Sequence, residues 1–319
     1  MRYDCEIVID AANELGEGVL WSPAHGEVQW TDIFGRRFWA HSPSDGQTRS
    51  VPLPGRLACF APLGGPSILA GFAGGLEVFD LESGARRLLA AIEGDRPTTR
   101  LNDGRLDRRG RLVFGTMDED PAGARPLGQI WSFGDRGARV LASGVRIANS
   151  IAFSPDGRQM YFADTPEKRI RLYDYDLDSG VLSGERVFAT VEGPGFPDGS
   201  TVDADGCLWN AEWGGGRVVR YAPDGRVIRV LPLPASQVTC CAFGGAGLDR
   251  LFVTTARTGS RPLGACRRTP CRRAVRLRRR RHRSCRRALR REALNAATAR
   301  TSMRSRRSRP RRRSARFAG

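Results

Sequence analysis

One phrase recurs through the first 258 residues: an apolar run, a turn built on Gly, Asp or Pro, and a second apolar run. It reads VLWSPAHGEVQWTDI from Val19, RLDRRGRLVFGTM from Arg105, IAFSPDGRQMYFADT from Ile151, TVDADGCLWNAEW from Thr201 and CAFGGAGLDRLFVTTA from Cys241. ACFAPLGGPSILAGF from Ala58 is a looser copy. A third, more polar strand usually follows and ends in a turn such as SPSDG, LESG, YDLDSG or APDG. Helical periodicity is nearly absent, and short β-rich runs punctuated by turn residues define an all-β chain. The spacing of about 40–50 residues is the period of a propeller blade, in which four-stranded sheets pack around an axis. Six copies predict a six-bladed β-propeller over residues 1–258.

The pattern stops after TTARTG, and an Arg-rich, low-complexity segment fills residues 259–319. Of the 52 basic side chains 24 lie in that segment, and of the 34 acidic ones only Glu292 does. This leaves 28 basic and 33 acidic groups in residues 1–258, a net charge of −5 behind the overall +18. The first 258 residues are thus mildly acidic and long enough to bury a large core, and a nucleic-acid-binding reading of the whole chain is excluded. An Arg-rich run of this kind cannot bury a core and is expected to be disordered on its own. It can be read as an arm for phosphate contacts, as a membrane-surface segment, for which it lacks the apolar face, or as a shifted reading frame. The frame shift is preferred: Lys168 is the only lysine beside 51 arginines, a mark of GC-rich coding DNA. On this reading the last blade is incomplete.

No apolar run approaches the roughly 20 residues that span a bilayer. The N-terminus MRYDCEIVIDAANELGEG carries acids where a signal peptide needs a basic start and an apolar stretch, so a cytoplasmic protein is expected. Cys5, Cys59, Cys207, Cys240 and Cys241 are odd in number and form no CxxC pair, which suits reduced thiols. There is no GxSxG elbow and no HExxH helix, and His25 and His41 fall in turn-like segments. Trp21, Trp30, Trp39, Trp131 and Trp209 read as packing between blades, and Trp213, ahead of three glycines, is open to a place at the mouth.

The register of the copies singles out polar residues. Glu17 precedes its turn glycine, Gly26, by nine residues; Asn102, Asn149 and Asp198 precede Gly110, Gly157 and Gly206 by eight. Arg56 and Thr239 complete the set less securely. Equivalent positions in a propeller sit at one height, here where each innermost strand begins, so these side chains would face the mouth of the central channel. Any one of them could simply bond a strand end or channel water. Carboxylates crowded together, however, resist desolvation unless a cation or a proton compensates them. Oxygen ligands suit one hard divalent ion such as Ca²⁺, Mg²⁺ or Mn²⁺, while Fe(II), or Zn²⁺ with waters completing its shell, stays open.

With these residues in hand, the chain resembles the senescence marker protein/gluconolactonase/regucalcin family of six-bladed propeller lactonases. The matching segments are LGEGVLWSPAHGEVQWTDIFGRR, RLNDGRLDRRGRLVFGTMDED, IANSIAFSPDGRQMYFADT and FPDGSTVDADGCLWNAEWGGGRVVRYAPDG, which together span Leu15 to Arg257. GTMDEDP and NAEWGGGR look most like bacterial members that hydrolyse sugar-acid lactones such as arabino-, xylono- or gluconolactone. The resemblance implies metal ligands at Glu17, Asn149 and Asp198, and substrate contacts at Arg100, Asn102 and Asp120, where many relatives carry Glu in place of Asp120. It further implies that Asp198 is the general base for hydrolysis, with Arg100 and Asn102 on the sugar hydroxyls. One departure is local: the family usually reads Ser-Asn-Gly where this chain has Ala148-Asn149-Ser150, and a side chain at Ser150 disfavours positive φ. The expected partner is a small sugar lactone bound by a monomer. A related propeller esterase or phosphotriesterase, a non-catalytic calcium-binding or scaffold propeller, and a nucleic-acid tether through the tail are the rival readings.

Overall fold

A computed structural model describes residues 5–120, 125–258 and 274–278, all within one compact unit, Met1–Arg279. The structure is a β-propeller. After β1 (Cys5–Ile9), the chain builds five blades, each of four consecutive antiparallel strands. The first blade comprises β2 (Gly16–Ser22), β3 (Glu27–Asp32), β4 (Arg37–His41) and β5 (Thr48–Pro52). The second comprises β6 (Leu57–Gly64), β7 (Ser67–Phe72), β8 (Gly75–Asp80) and β9 (Arg86–Ala91). The third comprises β10 (Thr99–Leu106), β11 (Leu112–Asp118), β12 (Gly128–Gly134) and β13 (Gly137–Val145). The fourth comprises β14 (Ala148–Phe153), β15 (Gln159–Asp164), β16 (Arg169–Tyr175) and β17 (Leu182–Thr190). The fifth comprises β18 (Phe196–Val202), β19 (Leu208–Trp213), β20 (Arg217–Tyr221) and β21 (Val227–Pro232).

The remaining strands are β22 (Val238–Gly244), β23 (Arg250–Thr255) and β24 (Ala274–Arg278). They join β1 in a further four-stranded sheet of order β1-β24-β23-β22. Where the sequence pattern stops short, the third position of this sheet is taken by residues 274–278 and the outermost by the N-terminal strand. The rest of the Arg-rich segment lies outside the described residues. Among the described residues no helix is long and apolar enough to cross a membrane.

The innermost strands contact one another in the cyclic order β2, β6, β10, β14, β18, β22 and back to β2. Their side chains alternate toward the two faces of each sheet, so apolar groups fill the spaces between neighbouring blades. Trp21 stacks on Phe252 at 6.5 Å and Trp209 meets Phe243 edge-on at 5.6 Å, each across a blade boundary. Trp30 and Trp39 instead stack within the first blade at 5.7 Å, and Phe114 and Trp131 within the third at 6.4 Å. His25 bonds Ser22 and the Gly65 carbonyl, and His41 bonds Thr48, so both serve turns and strand ends. The five body cysteines are free, and four of them are buried.

Five of the six innermost strands carry one irregularity in their pairing, at the same place in the repeat, whereas β6 carries two. In β2 it falls between Glu17 and Leu20, in β10 between Leu101 and Gly104, in β14 between Asn149 and Ala152, and in β18 between Pro197 and Ser200. Two residues there face one on the partner, the mark of a β-bulge, which re-aims side chains and ends regular pairing. The pairing also corrects the register read from sequence. Glu17 and Asn149 stand just before the bulge, whereas Asn102 and Asp198 are the first residues within it. The cause is turn length: the hairpin loops run over 23–26, 107–111, 154–159 and 203–207, so counting back from the turn glycine slips by one.

Candidate active site

The innermost strands bring Glu17 within electrostatic reach of Asp198, and Asn102 within hydrogen-bond reach of Asn149. Burial, followed by the charge of Asp103, raises the Glu17 carboxyl to about 8. Burial and the charges of Glu17 and Asp103, in that order, push Asp198 well above the usual carboxylate range. The charge of Glu17 on β2 thus acts on Asp198 on β18. Local support for each is slight: Gly18 N–H donates to Glu17 Oε2 at 3.0 Å, and Gly199 N–H bonds Asp198. No ion pair reaches either carboxylate among the described residues.

Asn149 is oriented by a chain of directional bonds. Thr165 Oγ1 donates to the Pro197 carbonyl at 3.0 Å, so its lone pair must accept from Asn149 Nδ2 at 2.8 Å. That turns Asn149 Oδ1 toward Asn102, whose Nδ2 reaches it at 3.1 Å and the Ala148 carbonyl at 2.9 Å. From the other end, Arg100 Nη1 donates to Asn102 Oδ1 at 2.8 Å and to the Leu101 carbonyl at 2.8 Å. A guanidinium cannot accept, so the Asn102 amide is fixed as well. Arg100 is only 4% exposed and ion-pairs with Glu119 through Nε at 2.7 Å. Burial lowers its pKa, and Glu119 opposes that shift. The sequence-predicted residues Arg100, Asn102 and Asn149 thus form one continuous chain. Asp120 stands apart, paired with Arg125 at 3.2 Å. Of the two less secure positions, Thr239 Oγ1 binds the Gly16 carbonyl across a blade boundary, and Arg56 pairs with Glu119.

Two groups near these residues, Asp103 and Arg105, escaped the sequence reading, and a third, Ser150, figures there only as a departure from the family pattern. Asp103 is buried, with Oδ1 accepting from Gly104 N and Oδ2 from Ile151 N. It lay unremarked inside the RLNDG motif. Arg105 reaches across the channel to the Val19 carbonyl at 3.3 Å, the Ser200 carbonyl at 3.1 Å and Cys240 Sγ at 3.8 Å. Its signal was a charge at the register position where other copies carry Trp21 and Phe153. Ser150 is the third. It keeps the left-handed conformation, φ 60°, that Gly18 adopts at the matching place with φ 59°.

That conformation costs a non-glycine residue about 1–2 kcal/mol. Ser150 Oγ donates to the Asp198 carbonyl at 2.6 Å and accepts from Asn210 Nδ2 at 3.0 Å, which offsets the strain and ties the fourth blade to the fifth beside Asp198. Ser150→Ala keeps the strain and loses both bonds in a fully buried place. It should lower unfolding stability by about 1–3 kcal/mol, read from urea denaturation; an unchanged midpoint would remove Ser150 from this role.

Among the described residues no three His, Cys, Asp or Glu side chains converge as a metal site. A cation here would rest on two carboxylates and the inward-facing Asn149 amide oxygen, an all-oxygen set that suits a hard divalent ion. The Glu17–Asp198 pair, partly exposed at Glu17, buried at Asp198 and without a counter-charge in contact among the described residues, fits that occupant. A pH signature follows for chelator-treated protein. Glu17 holds its proton to about 8 when folded against 4.5 when unfolded. Its contribution is fully present below the unfolded value and is lost as pH rises through the folded one. Thermal unfolding in EDTA should show the transition temperature falling between those two values, and an added divalent ion should remove the fall. A profile that rises over this window in EDTA would contradict the pairing.

A propeller whose innermost strands carry two carboxylates of raised proton affinity and an Arg-Asn hydrogen-bond chain defines a class of protein: a β-propeller with a polar cluster among its innermost strands. Residues 15–257 match the family model described as the SMP-30/Gluconolactonase/LRE-like region, and the chain belongs to that family. It is 43% identical over 260 residues to the L-arabinolactonase of Azospirillum brasilense, covering 79% of this chain and 84% of that one. It is 36% identical to the pentonolactonase XacC of Haloferax volcanii over 78% of this chain and 84% of that one. Among solved structures it is similar to a calcium-binding protein, regucalcin, of Agrobacterium tumefaciens, with TM-score 0.80 and 33% identity over 86% of this chain and 93% of that one.

Proposed function

We propose that this protein hydrolyses a sugar-acid lactone, an aldonolactone of the arabinono-, xylono- or gluconolactone kind, to the open aldonic acid with the help of one divalent metal ion. The observation that carries the reading is the pair of carboxylates Glu17, partly exposed, and Asp198, buried, both of which hold a proton more tightly than usual, with the charge of Glu17 acting on Asp198. The similarity to proteins named arabinolactonase and pentonolactonase supports the substrate class. Glu17, Asn149 and Asp198 would hold the ion, which supplies Lewis-acid polarisation of the ring carbonyl and charge compensation for the carboxylates.

The chain's own groups do the rest. Water adds to the ring carbonyl carbon and Asp198 takes its proton. The ring C–O bond then breaks, and that proton passes to the leaving oxygen as it becomes a hydroxyl. Asp198 suits this task because it has two carboxylate oxygens, so that one can hold the ion while the other accepts the proton. Arg100 and Asn102 hold the sugar hydroxyls, and Asp120 is the third expected contact. The fixed orientation of the chain from Arg100 to Asn149 means that little reorganisation is needed as charge develops.

In this reading the ring has six blades, the protein works as a cytoplasmic monomer, and residues 1–258 carry the activity. Residues 259–319 are taken as the product of a shifted reading frame, which resequencing around codons 255–265 checks. The function itself is tested by a pH-stat screen of aldonolactones on EDTA-treated protein with each divalent ion added back. Lactone hydrolysis restored by an ion supports the reading. Ion binding without hydrolysis would leave a non-catalytic cation-binding propeller.

A further inference from the structure

Glu119 follows β11 directly and its side chain is 24% exposed. Its Oε1 accepts from two guanidinium groups at once, Arg100 Nε at 2.7 Å and Arg56 Nη1 at 2.9 Å. Its Oε2 has no hydrogen-bond partner among the described residues, and neither has Arg100 Nη2. This is unusual for the geometry. The Nε and Nη2 hydrogens lie along one edge of a guanidinium and normally grip both oxygens of a carboxylate. Elsewhere in this protein they do: Arg86 holds Glu77 through Nε and Nη2, each at 2.8 Å. At Arg100 the second bond is missing because Arg56 draws Oε1 from the other side.

The result is a donor, Arg100 Nη2, and an acceptor, Glu119 Oε2, without a hydrogen bond among the described residues on two side chains that are already joined. A hydroxyl that accepted from the first and donated to the second would satisfy both. Arg100 also leads through Asn102 to Asn149, and the charge of Glu17 acts on it, so this pair adjoins the axial site. The Asp120 carboxylate is engaged by Arg125, which is itself anchored on Asp118 at 2.8 Å. We infer that Glu119, held open by Arg56, is the carboxylate that reads a substrate hydroxyl here, with Arg56 as a positioning residue. The identity of the hydroxyl's owner as a sugar lactone rests on the proposed function; the hydroxyl-reading geometry does not.

The test uses the full chain loaded with Mn²⁺ and two readouts. The first is turnover of L-arabinono-1,4-lactone compared with γ-butyrolactone, which has no ring hydroxyl. The second is calorimetric binding of 1,5-anhydro-D-glucitol, a cyclic polyol with no ester to cleave. Glu119→Gln should raise KM for the hydroxylated lactone about ten- to hundredfold, the loss of one hydrogen bond to a charged group, with kcat changed far less. It should weaken polyol binding by a similar factor and affect γ-butyrolactone much less. Arg56→Met should do the same to a smaller degree, with Arg56→Lys recovering most of the loss, while Asp120→Asn should raise KM less than Glu119→Gln. The inference is overturned if Glu119→Gln and Arg56→Met leave KM and polyol affinity unchanged, if Asp120→Asn has the larger effect, or if the unaltered protein binds no polyol. Polyol binding lost in Glu119→Gln alongside an absence of lactone turnover would uphold the inference and remove the lactonase reading.

Discussion

Replacing Asp198 with Asn should lower lactone turnover by about two to four orders of magnitude, the range for loss of a positioned general base. The amide keeps the shape of the side chain, so the buried site has no cavity to absorb. What it cannot do is take a proton from water, and it offers one fewer charge to a bound cation. The same substitution should stabilise the cation-free protein. Asp198 is buried and the charge of Glu17 raises its proton affinity, a repulsion that Asn removes. The paired result, activity lost and EDTA-state unfolding temperature raised, separates a functional carboxylate from a structural one. Rates for Asp198→Asn equal to those of the unaltered protein would refute its role.

Arg105→Met should cost about 3–5 kcal/mol of unfolding stability, the penalty for removing one partner from a buried charged network. Arg105 extends from β10 and bonds backbone carbonyls in β2 and β18 as well as the Cys240 thiol in β22. Three separate blades are thereby tied across the axis by one side chain. Its charge also opposes the build-up of negative charge from Asp103 and Glu17, both of which it stabilises in ionised form. Methionine fills much of the volume but leaves two carbonyls unpaired and the carboxylates without their central counter-charge. Urea denaturation followed by tryptophan fluorescence reads the loss. Arg105→Lys, which keeps the charge but not the fork of donors, should recover part of it. A Met variant within about 1 kcal/mol of the parent would show the tie to be dispensable.

The blade architecture was legible because each hairpin announces itself twice, in its alternating apolar strands and in its turn residues. The stretch IAFSPDGRQMYFADT, for example, becomes β14, its turn and β15 as spacing alone suggests. The position of Glu17, Asn102, Asn149 and Asp198 near the start of innermost strands was legible for the same reason. Their exact level was not, since hairpin loops of different length shift the count by one residue, and a bulge is invisible to a period of two. Arg105, Glu119 and Ser150 could not be ranked from sequence because their meaning lies in partners 19 to 135 positions away. Ser150 is instructive: the Gly-to-Ser departure put a positive φ in doubt, yet the residue keeps φ 60° and its hydroxyl binds the Asp198 backbone. The final sheet was also beyond pattern reading, as its outermost strand comes from the other end of the chain.

The central claim is that carboxylates from β2 and β18 and the amide of Asn149 share one divalent ion. Anomalous diffraction from crystals grown with Mn²⁺ tests it most directly, because the signal locates the ion without reference to activity. The account predicts a single strong peak on the propeller axis within coordinating reach of Glu17, Asn149 and Asp198 oxygens, absent from crystals of Asp198→Asn. A peak elsewhere, or an axis without one at saturating Mn²⁺, would contradict it.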